Sequence, residues 1–130
     1  MATSTTGPST FTEDWLLGPE ETKFYTRTYT ASSAQAVVLF VHGFAEYVAR
    51  YEWAHGVYAS RGITVFAFDQ RGFGRTGMDE DNRSPGSTYC KTTFREQMAD
   101  IEWALKHVHE RFPDLPIFLM GHSMVCACMT

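Results

Sequence analysis

The residues with the clearest chemical potential lie near the end of the sequence, in Gly121-His122-Ser123-Met124. A serine held in a strained turn between a strand and a helix presents its hydroxyl as a nucleophile, and small neighbours two positions away let the two backbones approach. Gly121 meets this requirement, but the second small position holds Val125. The same residues also fit a serine with a purely structural role.

A second candidate feature is His42-Gly43-Phe44, which follows an apolar run. At the end of a strand, such a turn can direct the backbone N–H of Phe44 at an oxyanion, and the N–H of Met124 would be a second donor. The alternative is an ordinary turn that ends a strand. The segment alone is compatible with both interpretations.

The elements that must position these residues begin with strands. Alternation over Lys23–Ala31 predicts an antiparallel strand with one face more buried than the other. The unbroken apolar run Ala36–Val41 predicts a central parallel strand buried on both faces. Two more buried strands are predicted at Thr64–Phe68 and Pro116–Met120.

Two helices are predicted between these strands, which together indicate an α/β fold with parallel crossovers. Apolar residues in 50–61 recur at helical spacing, and Gly62 follows as a C-terminal cap. Thr93 and Glu96 predict a reciprocal capping box at the start of the second helix, which Pro113 ends. The apolar stripe expected to face the sheet consists of Phe94, Met98, Ile101, Leu105, Val108 and Phe112.

Composition limits the classes of partner and location. The 130 residues suffice for one domain or part of one, and the net charge of -4 comes from acidic and basic residues spread along the chain. We therefore expect no nucleic-acid partner. The sequence has no signal-peptide pattern and no apolar run of membrane-spanning length, so a cytoplasmic protein is predicted.

Cysteine usage also bears on location and on metals. The chain has three cysteines, an odd number that suits a reducing compartment better than a disulfide framework. Cys126 and Cys128 resemble a pair of metal ligands, but no further Cys or His follows them and a zinc site usually needs four ligands. We expect no metal and no cofactor.

Three segments taken together resemble the α/β-hydrolase superfamily, and within it the monoacylglycerol lipase-like branch, also described as serine aminopeptidase S33-like. They are "FVHGFAEYVARYEWA", "VFAFDQRGFGRTG" and "FPDLPIFLMGHSM", and the resemblance spans residues 20 to 124. It implies the N-terminal part of an α/β-hydrolase fold, a mostly parallel sheet flanked by helices. It also implies a serine hydrolase that cleaves carboxylic esters such as monoacylglycerols through an acyl-enzyme.

The resemblance assigns roles by position. Ser123 would be the nucleophile, and the backbone N–H groups of Phe44 and Met124 would form the oxyanion hole. The residues implied to shape the turns around the site are His42, Gly43, Gly121 and His122.

Two further residues and two departures complete the comparison with the branch. Asp69 and Arg71, in "DQRGFGRTG", are expected to hold their loop in place rather than to take part in catalysis. The branch usually reads His-Gly-x-Gly-Glu-His at its first motif, so Ala45 and Tyr47 are departures. Both leave the N–H of Phe44 available.

A serine needs a histidine as base and a carboxylate to orient that histidine, and in this fold both follow the serine. The residues after Ser123 include neither, and all five histidines lie at or before position 122. We expect none of these five to be an efficient base. The strand at Pro116–Met120 would be an exposed apolar edge, open to self-association.

The expected organisation is a polar tail over residues 1–19, a partial hydrolase domain over 20–124 and an atypical tail over 125–130. Val125-Cys126 can be encoded by GTATGT, a common start of introns, so we interpret the last segment as translated intron. We expect the 130-residue chain to be inactive. The full-length form would cleave esters and contact membranes or lipid droplets peripherally.

Two alternatives remain open. The first is a non-catalytic short product that binds a protein partner through its open sheet edge. The second is an enzyme completed by a separate chain, which supplies the acid and the histidine.

Overall fold

The computed structural model describes residues 10 to 123, which form a mixed sheet flanked by helices. β-Branched and aromatic residues dominate the inner strands, as expected for strands that are covered on both faces. The strands are β1 (Thr12–Leu17), β2 (Lys23–Tyr29), β3 (Ala36–Val41), β4 (Ile63–Phe68) and β5 (Ile117–Gly121).

The strand order is β1-β2-β4-β3-β5. β1 runs antiparallel to β2, and β2 runs antiparallel to β4. β3 is parallel to both of its neighbours, β4 and β5. The carboxyl ends of β3, β4 and β5 therefore meet at one edge of the sheet, where α/β proteins place their sites.

Helices cover both faces of the sheet. On one face, Val37, Leu39 and Val41 of β3 pack in a cluster with Ile101 and Val108. On the other face, the alternate β3 residues Val38 and Phe40 pack in a second cluster. The helices are α1 (Glu52–Ser60), α2 (Gly74–Met78) and α3 (Phe94–Arg111), with short 3₁₀ helices at Pro19–Glu21 and Val48–Tyr51.

The α/β architecture predicted from the sequence is confirmed, with β3 as a central strand that has parallel neighbours on both sides. Gly62 follows α1 in the left-handed region at φ 87°. Thr93 caps α3 by accepting a hydrogen bond from the Glu96 backbone N–H. The return half of the expected capping box is absent among the described contacts, because the Glu96 carboxylate lies instead 3.7 Å from Arg71.

The N-terminal segment differs from the expected polar tail over residues 1–19. Thr12–Leu17 forms β1, which pairs with β2 along its whole length. Its side chains are mostly exposed, so the strand lacks the apolar pattern that would reveal it in the sequence. With β1 beside it and helices above and below, β2 is buried on both faces rather than on one.

The inward face of α3 also differs from the predicted stripe. Ile101 and Val108 are buried, but Phe94 is 62% exposed. Asp100 is also buried, and its ion pair with Arg71 offsets the cost of burying its charge. The buried residues of α3 are Gln97, Asp100, Ile101, Ala104 and Val108.

No helix in residues 10–123 combines the length and the apolar character that a membrane span requires.

The helix α1 carries a buried histidine on its inward face. His55 is stacked on Tyr51 and contacts Phe40 edge-on, and its Nδ1 atom has no hydrogen-bond partner among the described residues. Burial, with a smaller contribution from the nearby Arg27 charge, lowers the pKa of His55 to about 4. Folding therefore favours the neutral imidazole.

We predict that His55 makes the protein less stable in acid. A histidine in the unfolded chain has a pKa near 6.5, so between pH 6.5 and about 4 the unfolded state binds more protons than the folded state. The free energy of unfolding should therefore fall by about 3 kcal/mol as the pH is lowered through this range. His55→Leu should remove this loss, whereas His109→Leu, at an exposed position on α3, should not. Urea unfolding at several pH values checks this.

The quantity to compare is the difference between each variant and the wild type. Burial raises the pKa of Asp69 to about 6, which changes stability with the opposite sign, and this contribution cancels in the difference. A His55→Leu variant that loses as much stability on acidification as the wild type would contradict the prediction.

Candidate active site

The turns after β3 and β5 meet because these strands pair in parallel with Val41 opposite Gly121. The pairing continues one step further, as the His122 N–H donates to the Val41 carbonyl oxygen at 3.2 Å. A Cβ atom built on Gly43 would lie 2.9 Å from the Ser123 Cβ and 3.0 Å from the His122 carbonyl oxygen. Only glycine at position 43 lets the two turns approach this closely.

Ser123 has the backbone conformation of a strained turn. Its φ of 64° lies in the left-handed region, which a non-glycine residue adopts at a cost of about 1–3 kcal/mol. Its side chain is exposed, and its hydroxyl makes no hydrogen bond to any described residue. The structure therefore presents a free serine hydroxyl at the carboxyl edge of the sheet.

A tight turn places the Phe44 backbone beside this serine. The Glu46 N–H donates to the Gly43 carbonyl oxygen at 3.2 Å, and the Gly43 N–H donates to the Glu46 carboxylate at 2.9 Å. The N–H of Phe44 has no acceptor among residues 10–123. It is thus available to a developing oxyanion, whereas Met124, the other donor predicted from the sequence, lies outside the described residues.

The turn contains an unusual alanine. Ala45 has a φ of 60°, a conformation that favours glycine, at the position where the branch usually has one. The departure noted in the sequence thus falls on a residue that carries backbone strain.

His42 links this turn to the loop after β4. The Gln70 N–H donates to His42 Nε2 at 2.9 Å, so the ring proton is on Nδ1, which donates to the Gly43 carbonyl oxygen at 2.7 Å. The Gln70 side chain donates to the His42 carbonyl oxygen at 2.6 Å. The ring is fully buried, and burial lowers the pKa of His42. With both nitrogens engaged, this neutral histidine cannot act as a base for Ser123.

Beside the serine lies a polar cluster that sequence reasoning missed. The Tyr51 hydroxyl donates to Glu46 Oε1 at 2.6 Å, and His122 Nδ1 lies 3.4 Å from Glu46 Oε2. Burial and the Glu46 charge raise the pKa of Tyr51 to about 12. Partial burial works against ionisation of Glu46, but the hydrogen bonds from Tyr51 and Gly43 outweigh it and lower the pKa of this carboxyl.

This cluster fixes the place of His122. Its Nδ1 atom faces Glu46 and Tyr51, and its side chain is exposed. The ring makes no hydrogen bond to Ser123. The only signal in the sequence was the glutamate of "HGFAEY". Glu46 and His122 are 76 positions apart, and only the fold brings them into contact.

Asp69 joins the first turn to α2. One carboxylate oxygen accepts from the Val48 N–H at 2.7 Å, and the other accepts from the Arg75 N–H at 2.8 Å. Gly74, at φ 54°, leaves room for this carboxylate, since a Cβ atom there would lie 2.3 Å from Asp69 Oδ2. These contacts are compatible with the predicted role of Asp69 in holding its loop. That role stays a prediction.

Arg71 anchors the same loop to α3. Its Nε and Nη2 atoms donate to the two oxygens of Asp100 at 3.0 and 2.9 Å, a bidentate pair in which both residues are buried. Its Nη1 atom donates to the Thr22 hydroxyl at 3.0 Å. None of the hydrogen bonds of Arg71 or Asp69 reaches Ser123.

Within residues 10–123 no group of three or more His, Cys, Asp or Glu side chains is arranged to hold a metal ion. Cys90 is an exposed free thiol. Cys126 and Cys128 lie outside the described residues.

Comparisons with known proteins agree with this geometry. Residues 32–127 match the family model described as serine aminopeptidase, S33. The chain is 35% identical over 98 residues to the phospholipase YtpA of Bacillus subtilis, covering 75% of this chain and 34% of the relative. It is 27% identical over 110 residues to the monoglyceride lipase of Mus musculus, covering 84% of this chain and 34% of that protein.

Solved structures give the same result. A thermostable carboxyl esterase from Bacillus coagulans, in complex with glycerol, matches with a TM-score of 0.73 and 31% identity over 88% of this chain and 36% of its own. A monoglyceride lipase from Saccharomyces cerevisiae, in complex with a substrate analog, matches with a TM-score of 0.72 and 25% identity over 95% of this chain and 38% of its own. The chain thus spans only a little over a third of each of these relatives.

We predict that Ala45→Gly stabilises the protein by about 0.5 kcal/mol. Glycine removes the cost of a left-handed φ, about 1 kcal/mol or more, and loses part of this gain to the greater entropy of the unfolded chain. The matched control is Ala54→Gly inside α1, which should destabilise by about 1 kcal/mol. Urea unfolding measures both, and equal destabilisation by the two variants would contradict the assigned conformation.

Proposed function

Because the chain belongs to the serine aminopeptidase S33 family, we propose that it carries the nucleophile and part of the oxyanion hole of a serine hydrolase that cleaves carboxylic esters of the monoacylglycerol type. The observation that carries this proposal is the strained, exposed Ser123, held against the Gly43-Phe44 turn by the pairing of β3 with β5.

In the proposed reaction, Ser123 Oγ attacks the ester carbonyl carbon. The carbonyl oxygen becomes an oxyanion that accepts a hydrogen bond from the Phe44 N–H, with the Met124 N–H as the expected second donor. The alcohol leaves with the proton taken from the serine, and water then hydrolyses the acyl-serine ester. A preorganised donor contributes most when it is aimed at the place where charge develops, as a backbone N–H fixed by a turn can be.

The base is proposed to come from outside these 130 residues. Both nitrogens of His42 are engaged, and His122 faces Glu46 and Tyr51. Residues 124–130 contain no histidine and no acid. The aligned part of the chain covers 34% of each of these two relatives, so most of each relative lies outside it and has room for both groups.

The substrate class rests on the relatives, which include a monoglyceride lipase, a carboxyl esterase and a phospholipase. A cytoplasmic location, peripheral contact with membranes or lipid droplets, and self-association through the open edge of β5 stay predictions from the sequence.

The test is labelling of the 130-residue chain with a fluorophosphonate, followed by mass spectrometry of the modified residue. Without a base, Ser123 should react slowly, and added imidazole should speed its labelling by roughly tenfold or more. Ser123→Ala should abolish the imidazole-dependent labelling, whereas Ser33→Ala, at an exposed turn, should leave it unchanged.

Labelling that persists in Ser123→Ala would overturn the assignment of the nucleophile. Fast labelling of Ser123 without imidazole would instead overturn the proposal that the base lies outside these residues.

A further inference from the structure

A cavity of about 230 Å³ lies between the turn that carries Phe44 and the start of α3. Three aromatic rings, those of Phe44, Phe73 and Phe94, form its walls. The rings of Phe44 and Phe73 meet edge to face with their centres 5.5 Å apart. Phe44 and Phe94 are 54% and 62% exposed, so two of the walls present apolar surface to solvent at the mouth of the cavity.

The lining includes the polar residues Thr92, Thr93 and Gln97, and of these only Gln97 is buried. Gln97 is only 7% exposed, yet its carboxamide makes no hydrogen bond to any described residue. Its backbone N–H is satisfied within the helix by the Thr93 carbonyl oxygen. A polar group that is mostly removed from solvent and has no protein partner gains a hydrogen bond when a bound molecule pairs with it.

The surroundings favour an uncharged ligand with an oxygen. No residue that lines the cavity carries a charge, and the aromatic walls suit a hydrocarbon. Cys90 also lines the cavity, and Thr92 and Thr93 come directly before the N-terminal end of α3, where the helix dipole favours an electron-rich atom. The volume holds roughly eight non-hydrogen atoms at about 30 Å³ each.

Phe44 connects this cavity to the proposed reaction. Its backbone N–H is free for the oxyanion, and its ring forms a wall of the cavity. The proposed oxyanion donor and a wall of the cavity thus belong to the same residue.

We propose that this cavity binds one end of the ester substrate, a short uncharged hydrocarbon group whose hydroxyl or carbonyl oxygen pairs with the Gln97 carboxamide. This inference rests on the proposed function for the identity of the ligand. The binding step itself does not require Ser123 to react.

The experiment is an NMR titration of the ¹⁵N-labelled chain that follows the Gln97 side-chain amide. The probes are benzyl alcohol and ethylbenzene, which have similar size and differ in the hydroxyl group. Benzyl alcohol should shift the Gln97 amide and bind several-fold more tightly than ethylbenzene, as expected for one buried hydrogen bond.

Two variants and one control define the site. Gln97→Leu replaces the carboxamide with an apolar side chain of similar size and should weaken benzyl alcohol binding about fivefold without weakening that of ethylbenzene. Phe94→Ala removes an exposed wall, which the fold tolerates, and should weaken both probes. Met98→Leu, at the next position on α3 and outside the cavity lining, should change neither.

Equal affinity of the wild type for the two probes, or unchanged benzyl alcohol affinity in Gln97→Leu, would overturn the proposal. The spectra themselves report whether each variant is folded. The titration and the labelling of the wild type separate the two proposals, since probe binding as predicted without imidazole-dependent labelling of Ser123 would contradict the hydrolase function alone. Labelling of Ser123 without a shift of the Gln97 side-chain amide would contradict this inference alone.

Discussion

The site depends on the parallel register of β3 and β5, in which Val41 lies opposite Gly121. This register brings together Gly43 and Ser123, which are 80 positions apart in the sequence. A Cβ atom on Gly43 would lie only 2.9 Å from the Cβ atom of Ser123. A slip by one residue would reverse the faces of β5 and separate the serine from the Phe44 N–H. The need for glycine at position 43 and the approach of Ser123 to the Phe44 turn both follow from this pairing.

A buried polar framework holds the turns in place behind the reacting groups. His42 fixes the first turn to the Gln70 backbone, and Asp69 receives N–H groups from Val48 and Arg75. Arg71 then ties the same loop to Asp100 of α3. Each of these buried groups would be costly without its partner, so the loops have little freedom to move relative to one another. The rigidity needed for an oxyanion donor therefore comes from residues that do not touch the substrate.

The sequence predicts the fold well because its signal is local. Runs such as Ala36–Val41 are buried on both faces, and their apolar character is visible without any knowledge of their neighbours. The positions of Ser123 and Phe44 after strands were also predictable from their motifs, whereas their catalytic roles stay predictions. β1 escaped prediction because its stability comes from pairing with β2 rather than from burial of its own side chains. The exposure of Phe94 and the contact of Glu46 with His122 depend on how distant segments meet, which no local pattern encodes.

The central claim is that Ser123 and the Phe44 N–H act on the same carbonyl group. A crystal structure of the protein after phosphonylation of Ser123 tests this most directly, because the phosphoryl oxygen mimics the oxyanion. The account predicts that oxygen within about 3 Å of the Phe44 nitrogen, with Ser123 still in its left-handed conformation. A phosphoryl oxygen turned away from Phe44 towards solvent, or held by other groups, would contradict it.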